Sequence, residues 1–108
     1  VITSDMIYGH TDSIILRHLL DGDNYGYEIN RMILEKSNQR FELKEATLYT
    51  AFRRLEKDGY ISSYWGEEGV SGGARRRYYQ ITEAGRAHLE KRLEEWDSMK
   101  QLMDLLLA

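Results

Sequence analysis

Three consecutive arginines at positions 75–77 follow a pair of glycines in the stretch GGARRRYYQIT (72–82). A guanidinium group is charged at every physiological pH and binds phosphate or carboxylate oxygens through paired N–H donors. Two kinds of partner are therefore open to these arginines. One is a polyanion, and the other is the nearby pair of acids Glu67 and Glu68, for which an exposed ion pair contributes about 0–1 kcal/mol.

Charge is unevenly distributed along the 108 residues, whose formal net charge is −3. Residues 1–38 contain 3 Lys or Arg and 6 Asp or Glu, residues 39–82 contain 8 and 6, and residues 83–108 contain 4 and 6. The middle of the chain is thus positive between two acidic flanks. Because acidic proteins do bind nucleic acid when their basic groups share one face, this distribution leaves the polyanion interpretation open.

A second group of cations lies in the segment KEATLYTAFRRLEKDG (44–59). Its apolar residues recur at helical spacing and predict a helix from about Glu45 to Asp58, which Gly59 ends. These core-facing residues are Leu48, Ala51, Phe52 and Leu55. The opposite face carries hydroxyl groups and cations: Thr47, Tyr49, Thr50, Arg53, Arg54 and Lys57. Such a face suits the major groove, where hydroxyls meet phosphates and arginine pairs with guanine, although solvated basic helix faces are also common.

The arginine cluster itself is predicted to lie on a β-hairpin. The β-formers YISSYW (60–65) and RRYYQIT (76–82) flank GEEGVSGGA, which has four glycines in nine residues. A strand period of two puts Tyr79 and Ile81 on the buried face, while the arginines reach solvent near the tip. Glycines there allow close approach to a DNA backbone. The predicted phosphate contacts of this hairpin are Gly72, Gly73, Arg75 and Arg76.

The remaining segments complete a mostly α (α+β) domain with a winged helix-turn-helix plan. A first helix contains the apolar run from Ile14 to Leu20 and stops at Gly22, and Asp23 or Asn24 is expected to cap a second helix. Phe41 and Leu43 alternate with charged residues, which suggests a very short strand. Thr82 is predicted to cap a long last helix. Residues 1–82 then form the winged-helix domain, and residues 83–108 form a C-terminal dimerisation helix packed on it.

The last helix carries an apolar stripe that it cannot bury alone. The stripe consists of Leu89, Leu93, Trp96, Met103 and Leu107, widened on one flank by Met99 and Leu106. Lys100 occupies the position between Trp96 and Met103 where the spacing of the stripe predicts an apolar residue. The stripe can fold against the first helix or meet a second copy across a twofold axis, and we expect both. Recognition of a palindromic DNA site requires two equivalent DNA-binding surfaces about 34 Å apart, which favours a homodimer.

Several classes of site and location are disfavoured. The chain contains no cysteine, which rules out disulfides and thiolate metal sites, and its histidines lack the spacing of a metal site, so no metal or cofactor is expected. No nucleophile–base pair, carboxylate dyad or phosphate loop indicates an enzyme. No run of apolar residues approaches a membrane span, and a cytoplasmic location is expected.

The segment ELKEATLYTAFRRLEKDGYISSYWGEEGVSGGARRRYYQITEAG resembles the DNA-binding core of the PadR family of transcriptional regulators, and GDNYGYEI extends the similarity upstream. The resemblance implies a homodimeric winged-helix repressor that binds an inverted repeat. It assigns the recognition helix to the segment with Thr47, Tyr49, Thr50 and Arg53, and the wing to the segment with Gly72, Gly73, Arg75 and Arg76. Thr50 stands where many members have proline, and the wing is about two residues longer than in the nearest branch.

Within the family the chain is most similar to the small multidrug-sensing repressors, which implies an aromatic effector held at the dimer centre near Trp96. Large aromatic residues are also ordinary interface residues, and this alternative stays open. The neighbouring positions in this chain are Leu93, Lys100, Ser13 and Arg17. Lys100 stands where those repressors carry an acid, so neutral or anionic aromatics fit better than planar cations.

A rival function of another class is a winged-helix module that binds an acidic protein through the same basic surface. Salt distinguishes the two, because DNA binding through several arginines weakens steeply and almost log-linearly with salt.

Overall fold

The computed structural model describes residues 2–67 and 75–108, and it confirms the mostly α fold with a small sheet. The helices are α1 (Ser4–Ile7), α2 (Thr11–Leu19), α3 (Gly26–Lys36), α4 (Glu45–Lys57) and α5 (Glu83–Leu106), and the strands are β1 (Asn24–Tyr25), β2 (Ile61–Trp65) and β3 (Arg77–Ile81). No helix among the described residues combines the length and apolar character needed to span a bilayer.

The three strands form one antiparallel sheet in the order β1-β3-β2. Ile61 pairs with Ile81 at the base of the hairpin and Trp65 with Arg77 towards its tip. The inward positions of β3 are buried as predicted, with Tyr79 5% and Ile81 6% exposed. The predicted hairpin is therefore present over these strands, whereas Gly72 and Gly73 lie outside the described residues.

One hydrophobic core joins α2, α3, α4, the sheet and the start of α5. Its buried members are Ile15, Leu16, Leu19, Ile29, Ile33, Leu43, Leu48, Ala51, Phe52, Leu55, Ile61, Tyr79, Ile81 and Leu89. Phe52 of α4 stacks on Tyr79 of β3 with ring centroids 3.9 Å apart. This stack attaches the predicted recognition helix directly to the predicted wing.

Local sequence signals correctly predicted where α4 ends and where α5 begins. The last turn of α4 is followed by Gly59 with a φ of +80°, the left-handed conformation that favours glycine. The Thr82 hydroxyl accepts a hydrogen bond from the Gly85 N–H (3.0 Å), so it caps α5 as predicted.

Two local predictions were wrong. Neither Asp23 nor Asn24 caps α3, because Asn24 pairs with β3 in β1 and the Asp23 carboxylate accepts the hydroxyl of Tyr64 (2.6 Å). The segment around Leu43 is not a strand. Its backbone N–H and carbonyl bond to the side-chain amide of Asn30, at 2.8 and 2.6 Å, which satisfies them without a neighbouring strand.

Candidate functional site

The described residues carry two candidate sites: a basic crevice between α4 and the hairpin, and an apolar groove between α2 and α5. Each is built from residues far apart in sequence. No group of histidine and acidic side chains in the described ranges is arranged to hold a metal ion.

Helix α4 presents a polar ridge because its four predicted core-facing residues are all buried. The predicted contacts Thr47, Tyr49, Thr50, Arg53, Arg54 and Lys57 are all exposed. Tyr49 and Arg53 face the hairpin. A second depression, between α4 and the α1–α2 turn, is lined by Thr47, Thr50 and Arg54. An exposed polar helix face between two depressions is the kind of surface that can enter a major groove.

The crevice between α4 and the hairpin brings one cation of the predicted recognition helix, Arg53, together with the hairpin arginines. Its volume is about 620 Å³, and the guanidinium-bearing residues Arg53, Arg75, Arg76 and Arg77 line it together with Tyr25, Tyr27, Tyr49, Trp65, Tyr79, Glu56 and Gly26. α4 and the hairpin thus contribute arginines that lie 22 or more positions apart in sequence to one concave surface. Such a surface is suited to a backbone of closely spaced phosphates.

Each arginine of the triplet has a different environment. Arg75 Nε donates to the Gly66 carbonyl (3.1 Å), and the Arg76 guanidinium lies 4.2 Å from the centroid of the Tyr25 ring. Arg77 donates to Glu56 (3.3 Å) and to the Ser63 hydroxyl (2.8 Å). The acid that holds Arg77 thus belongs to α4, while Glu68, one of the two acids considered from sequence, lies outside the described residues.

The packing of Tyr49 depends on a glycine that sequence reasoning missed. A Cβ at Gly26 would lie 2.7 Å from the Tyr49 hydroxyl oxygen and 3.4 Å from the Phe52 ring. A side chain at the first residue of α3 would therefore require the Tyr49 ring to move. The sequence pattern that marks the start of α3 did not reveal this contact, because Gly26 and Tyr49 are 23 positions apart.

Arg54 has an ion-pair partner on another helix. Its Nε donates to Asp12 Oδ2 at 3.2 Å, and its Nη2 donates to Asp12 Oδ1. The Asp12 carboxylate raises the pKa of Arg54, the hydrogen bond being the largest cause. Arg54 thus combines an exposed position on the α4 ridge with a fixed attachment to α2, a partner that the sequence did not reveal.

The second site is a groove of about 590 Å³ between α2 and α5. Four of the five predicted effector residues line it, namely Ser13, Arg17, Leu93 and Trp96. The fifth, Lys100, lies beside it with Nζ 5.9 Å from the centroid of the Trp96 indole. The sequence also missed His10, whose ring contacts Trp96 edge to face at a centroid distance of 5.0 Å, and Met6, Ile7, Ile14, His18, Lys36, Arg92, Glu95 and Met99.

The charge of this groove is mainly positive. Arg17, Lys36 and Arg92 line it, whereas Glu95 is its one lining carboxylate among the described residues, and it pairs with Arg92 (3.5 Å). Burial lowers the pKa of His18, whose Nδ1 donates to the Ile14 carbonyl (2.7 Å). The groove therefore combines an indole face, apolar walls and a surplus of cations.

The apolar stripe of α5 divides at Leu93. Leu89 is 2% exposed and belongs to the core of its own chain, so its predicted place in a dimer interface is corrected. The later members of the stripe are exposed by 41% or more: Leu93, Trp96, Met99, Met103, Leu106 and Leu107. The surface available to a second copy thus begins one turn later than the sequence suggested.

Comparisons with known proteins assign the chain to one family. The family model described as the transcriptional regulator PadR-like family matches residues 15–91. An uncharacterised protein of Lysinibacillus sphaericus is 48% identical over 107 residues, which cover 99% of this chain and 96% of the relative.

Two solved structures share both sequence and shape with this chain. A transcriptional regulator from Clostridium thermocellum is 48% identical, with a TM-score of 0.88 and 96% of each chain covered. A PadR family transcription regulator from Clostridium difficile is 39% identical, with a TM-score of 0.79, and the match covers 93% of this chain and 100% of that one.

Proposed function

The chain belongs to the PadR-like family of transcriptional regulators, and from that premise we propose that it is a dimeric repressor that binds an inverted-repeat operator in the cytoplasm. Members of the family are regulators and not enzymes, and they bind DNA and typically dimerise. The finer parts of the proposal are the DNA-reading residues, the dimer interface and an aromatic effector.

The observation that carries the DNA proposal is the crevice shared by α4 and the hairpin. Four guanidinium groups from the two elements line one concave surface beside the exposed hydroxyls of the α4 ridge. In this proposal an arginine on the ridge would pair with base edges, while hairpin arginines would meet phosphates. We assign base reading to Arg53 and backbone contacts to Arg75 and Arg76.

The exposed half of α5 supports dimerisation. Large apolar side chains from Leu93 to Leu107 are solvent-exposed in the single chain, and contiguous apolar patches of this kind usually mark an interface. A twofold pairing through this surface would repeat the DNA-reading face, as an inverted repeat requires.

The groove at Trp96 supports the effector proposal. Apolar walls beside an indole accommodate a flat aromatic ring, and the surplus of Arg and Lys favours an anionic substituent on it. An effector in this groove would weaken operator binding, with a coupling of about 1–3 kcal/mol if it is typical of allosteric proteins.

The DNA proposal is tested with a duplex that the wild-type protein selects from a randomised 30-base-pair pool. Fluorescence anisotropy then measures its dissociation constant over a range of salt concentrations. We expect an inverted repeat and a steep log–log salt dependence. Failure to enrich any sequence, with an affinity for duplex that barely changes with salt, would instead favour a protein-interaction module.

The effector proposal is tested with two tricyclic probes of similar shape, acridine-9-carboxylate and 9-aminoacridine. The Trp65→Phe variant leaves Trp96 as the single tryptophan of the chain, so quenching reports on the groove alone. We expect the carboxylate to quench at the lower concentration and Lys36→Gln to reduce this preference. Tighter binding of the cationic probe would contradict the assigned ligand class.

A further inference from the structure

Residues 9–12, in the turn between α1 and α2 and the first turn of α2, contact one helix from each candidate site, α5 of the groove and α4 of the crevice. The Gly9 carbonyl accepts a hydrogen bond from Arg92 Nη2 of α5 (2.8 Å), and the His10 ring packs edge to face on Trp96 of the same helix. Two residues further on, the Asp12 carboxylate holds Arg54 of α4. Three of the four residues 9–12 therefore contact either the groove helix or the predicted recognition helix.

The Asp12–Arg54 pair is unusual among the ion pairs of the described residues. Most of these pairs join residues three or four positions apart, and only two connect different parts of the fold, this one and Arg77–Glu56. Two N–H donors of one guanidinium meet both oxygens of one carboxylate, which fixes orientation as well as distance. A shift of the α2 N-terminus would therefore be transmitted to α4.

We propose that Asp12 is the positioning residue through which the state of the Trp96 groove controls the recognition helix. The inference rests on the proposed function, since it concerns how one site regulates the other. Its basis is the order of contacts along the chain: Trp96 to His10, His10 to the first turn of α2 with Asp12, and Asp12 to Arg54.

The connection gives effector binding a defined structural consequence. A ring that stacks in the groove competes with His10 for the indole of Trp96. His10 is the residue that precedes α2, and its carbonyl accepts the N–H of Ile14, so displacement of His10 disturbs the first turn of that helix. Asp12 lies in this turn, and its movement reorients Arg54 on the DNA-facing ridge.

The test is a double-mutant cycle that needs no effector. His10→Ala removes the ring contact with Trp96 and thereby imitates an occupied groove. We expect this change to weaken binding to the selected duplex about fivefold or more in the wild-type background, the lower end of ordinary allosteric coupling. In the Asp12→Asn background the same change should alter the dissociation constant less than twofold.

Asp21→Asn is the matched control. Asp21 lies just after the end of α2 and also pairs with an arginine, Arg17 (3.3 Å), but this partner is only four positions away and does not join two helices. The control removes an equal charge and should leave the full effect of His10→Ala. If Asp12→Asn fails to fold, as thermal unfolding would reveal, Arg54→Lys replaces it, because lysine keeps the charge but not the two-point contact.

Two results would overturn the proposal: an effect of His10→Ala of equal size in both backgrounds, or no effect of His10→Ala on the wild-type protein. Both presuppose that the wild type binds the duplex. If the wild type enriches and binds no sequence, the proposed function itself fails, and this outcome is distinct from additivity in the cycle.

Discussion

At the scale of single residues, the three neighbouring arginines of the hairpin have different partners and therefore different roles. Arg76 lies over the Tyr25 ring, a contact that does not use its N–H donors. Arg77 directs donors to Glu56 and Ser63 and lies 5.7 Å from the Trp65 ring centroid. Among the described residues Arg76 thus remains the candidate for the proposed phosphate contact, whereas Arg77 connects β3 to α4.

This difference predicts unequal mutants. Arg76→Gln should weaken binding to all duplexes similarly and reduce the magnitude of the log–log salt slope by about 1, because one phosphate contact is lost. Arg77→Gln should leave that slope nearly unchanged and lower the free energy of unfolding by about 0–1 kcal/mol, since the pair is partly exposed. Anisotropy over a salt series and urea unfolding measure the two quantities, and equal slopes for both variants would contradict the assignment.

His18 predicts a pH dependence of stability. Burial lowers its pKa in the folded chain below the ordinary value of 6.5, so the unfolded chain binds the proton more readily. Its contribution to the free energy of unfolding is therefore complete above pH 6.5 and is lost as the pH falls from there through the lowered folded value. In thermal unfolding, the His18→Gln variant should lose less stability than the wild type as the pH falls through that window. A loss as steep as in the wild type would exclude His18 as its source.

Sequence reasoning identified the chemistry of individual residues but not their distant partners. Arg54 was correctly placed on the exposed face of α4, because helical spacing alone decides which side faces the core. Its pairing with Asp12 spans 42 positions and has no periodic signal. The same holds for Asp23, whose carboxylate binds Tyr64 and does not cap a helix.

At the scale of elements, segments with local signals were predictable and segments stabilised by tertiary contacts were not. The cap at Thr82 and the left-handed Gly59 depend on neighbours within four residues, and both were predicted. The two-residue strand β1 exists because β3 offers it a partner. The Leu43 segment stays outside any strand because Asn30 satisfies its backbone.

The start of α5 provides a test of element packing. A Cβ at Gly85 would lie 2.1 Å from the Tyr60 carbonyl oxygen, so Gly85→Ala forces the helix away from β2. Alanine normally stabilises a helix interior by about 1 kcal/mol relative to glycine, but overpacking here should cost about 1–3 kcal/mol and reverse the sign. Urea unfolding measures the change.

Ser98→Ala on the exposed part of α5 is the control, because it raises helix propensity without a clash, and it should be neutral or slightly stabilising. A Gly85→Ala protein as stable as the wild type would show that α5 does not depend on this close approach.

At the scale of the whole molecule, α5 divides into a half that completes the core and a half that is unpartnered in the single chain. The helical periodicity of the sequence revealed the apolar stripe but not which part of it is buried. Leu89 and Leu93 are both leucines on the same face of α5. The boundary depends on where α2 ends its contact with α5, which is a property of the assembled fold.

The unpartnered half predicts a mutant that separates the subunits. Met103→Glu places a charge in the proposed interface, and it should weaken dimerisation about tenfold or more because the carboxylate would be buried without a partner. Gln101→Glu adds the same charge on the opposite side of the helix and should leave the dimer intact. Sedimentation velocity over a concentration series distinguishes them, and equal dimer constants for the two variants would place the interface elsewhere.

The central claim is that two chains joined through α5 present paired arginine-lined faces to one duplex. The most direct measurement is the sedimentation of the protein with the selected duplex and with a copy in which one half-site is scrambled. The account predicts two chains per duplex and a large loss of affinity for the scrambled copy. One chain per duplex, with equal affinity for both DNAs, would contradict it.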